Sequence, residues 1–185
     1  MAGGAGSDTY RKLQGQQVLR ATDGQPVDIT SLWGENDRAV ELAGQLARDV
    51  LPQLNSAGVK LIAVGIGTGE RAKEFCAHVP FPEENLFADP DNVCYDSLGL
   101  KKGFATTFLR PETPYSILER QQKDGAKDML DALKRWKMWI PPKLEQGLQQ
   151  GGTFVFDGPN EVFQHFDPST GAHADLSQVL SAALA

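Results

Sequence analysis

A chain of 185 residues that is 41% hydrophobic and 23% charged has the mixture of one globular domain with a sizeable core. Its net charge of −6 gives phosphate backbones and anionic lipid no general attraction, and no stretch nears the roughly 20 apolar residues of a membrane-spanning helix, so neither nucleic acid nor membrane insertion is expected. Two cysteines, Cys76 and Cys94, form neither a CxxC pair nor a zinc-ligand spacing, which excludes a disulfide scaffold and points to a soluble protein of a reducing, intracellular compartment.

Residues 1–14 carry many small residues and little apolar surface to offset the entropy of ordering, so a flexible N-terminus is expected ahead of a domain at 15–185. Next, Gln17–Arg20 and Val27–Ile29 flank the turn signal Thr22-Asp23-Gly24-Gln25-Pro26 and predict a β-hairpin. Thr30 or Ser31 is placed to cap a short turn holding Leu32 and Trp33. From Glu41 to Ser56, Leu42, Leu46, Val50 and Leu54 recur every four residues and predict a core-facing helix, tightened at Pro52 and ended by Gly58. Val59–Ile66 follows as a nearly continuous apolar run, the pattern of a strand buried on both faces. A parallel partner strand is expected just before Glu41, but Trp33–Val40 reads as polar and turn-like, and no strand is predicted there.

Glu70–His78 reads as a short amphipathic helix with Ala72, Phe75, Cys76 and Val79 inward, stopped by Pro80 and Pro82. Leu86–Ala88 is a short strand, Asp89-Pro90-Asp91 a turn, Asn92–Leu98 a helix ended by Gly99, and Thr106–Leu109 an extended run. Residues 111–142 turn helical and mixed in charge, the signature of an insertion. Within it Trp136 and Trp139 share a helix face at i, i+3, where they either contact a partner or fill a satellite core. Thr153–Phe156 and Val162–Phe166 form a hairpin around Asp157-Gly158-Pro159-Asn160, and Asp175–Leu184 closes the chain as an amphipathic helix.

Few residues carry chemistry. Cys76 is either a residual redox thiol or a small hydrophobe on the inward side of its helix, and Cys94, at a helix start, is expected to be the more exposed of the two. His165 and His173 could serve as bases or ligands, but no further histidine or acidic cluster stands at metal spacing, so no metal is expected. Gly65-Ile66-Gly67-Thr68-Gly69 lacks the lysine and the full spacing of a phosphate loop, so no nucleotide or other cofactor is expected.

Taken in order, these elements match a thioredoxin-like α/β/α sandwich that lacks only its first central strand. The stretches GVKLIAVG (58–65), EFCAHVPFP (74–82), FADPD (87–91), YDSLGL (95–100), LQQGGTFVF (148–156) and TGAHAD (170–175) resemble the peroxiredoxin-like 2 family. That family lies within the alkyl hydroperoxide reductase and thiol-specific antioxidant branch, and the resemblance is strongest to its plant and algal thioredoxin-like members. It implies thiol-dependent reduction of peroxides or disulfides, a thiol reductant as partner, and a chloroplast setting. With no transit peptide visible, the cytoplasm is the alternative.

The same resemblance implies a hydrophobic strand ending in a CxxC motif, whose thiolate is stabilised at a helix N-terminus by backbone donors and the helix dipole. Here Arg38-Ala39-Val40 runs directly into Glu41-Leu42-Ala43-Gly44, as though one strand and its turn were deleted. The expected fold is therefore an incomplete sandwich without its catalytic cysteine. Gly151 and Gly152 stand where thioredoxin-like proteins generally carry a cis-proline facing the active thiol, and they are read as the remnant of a substrate groove. Two functions follow: a thiol antioxidant by ancestry, or a non-catalytic subunit of a larger assembly that uses the insertion and an open sheet edge as contact surfaces.

Overall fold

The computed structural model describes residues 6–42, 47–78, 81–100, 149–168 and 173–185. The predicted insertion at 111–142, with Trp136 and Trp139, and the extended run at 106–109 lie outside those residues. A seven-stranded mixed sheet organises the rest. Its strands are β1 (Gln17–Arg20), β2 (Pro26–Asp28), β3 (Arg38–Leu42), β4 (Lys60–Ile66), β5 (Leu86–Asp89), β6 (Gly152–Asp157) and β7 (Asn160–Phe166). They lie in the order β2-β1-β5-β4-β3-β6-β7. Neighbours β3, β4 and β5 run parallel, whereas β1, β6 and β7 pair antiparallel to theirs.

Among the described residues, five α-helices cover the sheet: α1 (Asp8–Leu13), α2 (Ala47–Ser56), α3 (Gly69–His78), α4 (Val93–Ser97) and α5 (Leu176–Leu184). Because strand side chains alternate between faces, each central strand feeds two apolar layers. Val40, Leu61, Ala63 and Val155 pack with Val50 and Leu54 of α2 and Val179 and Ala183 of α5. Ala39, Ile62, Val64, Phe154 and Phe156 pack with Leu13 of α1, Trp33, and Cys94 and Tyr95 of α4. The result is the expected α/β/α sandwich, with β4 at its centre. Among the described residues no helix is long and apolar enough to cross a membrane.

Three expectations are corrected. First, the sandwich does not lack a central strand at this point in the sheet. β3 fills the place between β4 and β6, with Val40 opposite both Leu61 and Val155, and Ala39 and Val40 are fully buried. Charged residues on either side of Ala39-Val40 hid it from hydrophobic patterning. Leu42 added to the error, because it fits the four-residue stripe of a helix as well as the two-residue period of a strand. Arg38 tolerates its position by reaching outward, with Nη2 donating to Asp157 Oδ2 at 3.0 Å. Of the helix predicted from Glu41, Glu41 and Leu42 belong to β3, and α2 is described over Ala47–Ser56.

Second, the N-terminal segment is docked over its second half. Ser7 donates its N–H to the Pro159 carbonyl at 2.9 Å, and its hydroxyl accepts from the Tyr10 N–H to cap α1. Tyr10 meets Trp33 edge-on at 5.8 Å, and Leu13 is 0% exposed. Burying one leucine contributes roughly 1.5–3 kcal/mol toward holding this short helix against the sheet. Trp33 itself stacks on Phe156 at 5.2 Å and donates its indole N–H to the Gly158 carbonyl at 2.8 Å. Gly158 has φ +56°, and a Cβ there would collide with the Glu35 carbonyl, so this turn requires glycine.

Third, Asp28 caps the turn before Trp33, accepting from the Thr30 N–H at 2.8 Å, in place of Thr30 or Ser31.

Candidate functional site

Open α/β sheets bind ligands beyond the carboxyl ends of their parallel strands. At that edge here β3, β4 and β5 end, the antiparallel β6 begins and β7 finishes, so Leu42, Thr153 and His165 stand in one cross-strand row. α2 begins at Ala47, with its N-terminus at the same edge. Residues Ala43, Gly44, Gln45 and Leu46 join β3 to α2 and lie outside the described residues; from Arg38 to Ser56 the chain contains no cysteine.

Neither thiol lies between β3 and α2, and neither takes part in a disulfide among the described residues. Cys76 lies near the end of α3 and is partly buried. Burial pushes its thiol above the usual range, and the nearby carboxylates of Glu83 and Glu84 push it further. The carbonyl end of a helix adds no help to a thiolate. At neutral pH Cys76 is therefore a protonated, weakly nucleophilic thiol.

Cys94 corrects the expectation of an exposed thiol, being only 2% exposed. The cause is Asp89, the last residue of β5. Its carboxylate accepts N–H bonds from Val93 and Cys94 at 2.9 Å each and from Tyr95 at 3.4 Å, which folds the first turn of α4 into the core. The Tyr95 hydroxyl then fastens that turn to the Val64 carbonyl at 2.8 Å. Burial raises the Asp89 carboxyl above its ordinary range, and the three backbone donors oppose that shift in part. An open cleft of about 300 Å³ beside Asp89 is lined by Gln17, Leu19, Asp91 and Val93 among others, and neither thiol lines it.

Gly151 and Gly152 sit at the start of β6, and no cis peptide bond occurs among the described residues. The Gly151 carbonyl accepts from the Asp167 N–H at 3.0 Å. A Cβ on Gly152 would stand 2.8 Å from Leu100 Cδ2 and 2.9 Å from the His165 carbonyl, so close packing accounts for that glycine.

The structure also assembles a cluster that sequence reasoning missed. Asp167, 4% exposed, sits between His173, whose Nδ1 is 2.9 Å from Oδ2, and His165, whose Nε2 is 3.5 Å from Oδ1. Oδ1 is buried and has no hydrogen-bond partner among the described residues. The signal for half of this was available, because His165-x-Asp167 at the end of a strand places both side chains on one face. His173 reaches the same carboxylate only through the fold. Among the described residues no three His, Cys, Asp or Glu side chains are arranged to hold a metal ion.

Comparison with known proteins bears on this edge of the sheet. No curated protein matches the chain significantly. Among solved structures, the crystal structure of peroxidoxin BcpB from Mycobacterium tuberculosis has the same fold, with a TM-score of 0.54 and 15% identity over 91% of this chain and 90% of that one. A family model described as AhpC/TSA antioxidant enzyme matches residues 45–169, starting just beyond β3. With that match covering more than half of its length, the chain belongs to the AhpC/TSA antioxidant enzyme family.

Proposed function

We propose that this AhpC/TSA family member does not reduce peroxides or disulfides through a thiol of its own and serves as a non-catalytic interaction subunit of a larger assembly. The observation that carries the reading is the absence of any cysteine between the start of β3 and the end of α2, where a helix N-terminus would activate one. The surroundings of the two remaining thiols support it: Cys76 is held protonated and Cys94 is walled into the core. In this reading the residues of the insertion, Trp136 and Trp139 among them, supply the contact surface, and Gly151 and Gly152 are the remnant of a substrate groove. The resemblance to plant and algal members supports a chloroplast setting.

The test is turnover of hydrogen peroxide, an alkyl hydroperoxide and a small disulfide, each with a dithiol reductant, by the purified chain and by its Cys76→Ser and Cys94→Ser forms. The expected result is a rate no higher than the reductant alone in every case. Thiol-dependent turnover abolished by either substitution would overturn the non-catalytic reading and restore the family's chemistry, with a thiol reductant as partner. For the assembly, the native protein in extracts should elute well above the 20.1 kDa of a single chain. Elution at that mass would remove the second half of the proposal. Peptide mapping across Leu42–Ala47 of the native protein decides whether a CxxC segment stands there.

A further inference from the structure

We draw no further inference here: the strongest candidate, the outward edge of β7 with its exposed Val162 and Phe166, carries nothing because nothing in the structure shows what covers it.

Discussion

Two helices of this protein, α2 and α4, start just after a parallel strand ends at the same edge of the sheet, and they differ in what occupies the start. α4 has a cysteine in its first turn, yet its three backbone donors are taken by Asp89 and the thiol is buried. α2 occupies the place expected of a reactive thiol and has none. Position at a helix N-terminus is thus not enough for thiol chemistry. The donors must be uncommitted and the sulfur reachable, and in this chain no single helix start combines these with a cysteine.

The largest way to disturb the comparison is Asp89→Ala. It leaves three N–H groups of α4 without their acceptor, and each such buried group costs roughly 1–3 kcal/mol, so the variant should lose about 3 kcal/mol or more in urea unfolding. Cys94 should also become open to alkylation under native conditions. Unchanged stability together with an unreactive Cys94 would show that Asp89 is not what closes that helix start.

At the start of β6, Gly152→Ala should lose about 1–3 kcal/mol, because the added methyl meets the His165 backbone as well as the more yielding Leu100. A variant as stable as the parent would argue for open space and revive the groove as the reason for glycine.

Ala47→Cys, in a chain also carrying Cys76→Ser and Cys94→Ser, puts a thiol at the start of α2. At pH 7 it should react with an aromatic disulfide about threefold faster than Cys76, because a thiol pKa lower by roughly one unit raises the thiolate fraction about tenfold while making the thiolate less nucleophilic. Equal rates would mean that this helix start confers no activation, and the contrast between the two helices would fail.

The smallest effect concerns pH. Because burial raises the folded-state pKa of Asp89, the folded protein holds that proton more tightly than the unfolded chain. Stability attributable to Asp89 is then full below the unfolded carboxylate pKa and is lost as pH rises through the folded one. Relative to Asp89→Asn, which does not titrate, the parent should gain stability as pH falls from neutral into the carboxylate range. Parallel stability profiles for the two proteins would contradict this assignment.

Hydrophobic periodicity made β4, both hairpins and α5 legible, because their apolar residues follow the period of the element they form. It failed at β3, where two buried residues lie between charges and pairing with β4 and β6 decides the conformation. It failed again at α1, whose Tyr10 and Leu13 are too few to register until Trp33 and Phe156 are seen beside them. At the candidate site, the missing cysteine could be read directly from the sequence. The burial of Cys94 could not, since it depends on a carboxylate five residues earlier turning back onto the helix. The convergence of His165 and His173 on Asp167 was half legible, through the strand alternation that links only the first pair.

The placement of β3 also governs how the chain must be made. One of its neighbours, β4, follows within a few tens of residues, but Ala39 pairs with Phe156 on the other side, more than a hundred positions later. At synthesis rates of about 5–20 residues per second, β3 waits on the order of ten seconds with one edge bare. Bare strand edges recruit other chains unless polar residues discourage it. Arg38 and Glu41, which hid this strand from the hydrophobic pattern, put charge along it while it waits for its last hairpin.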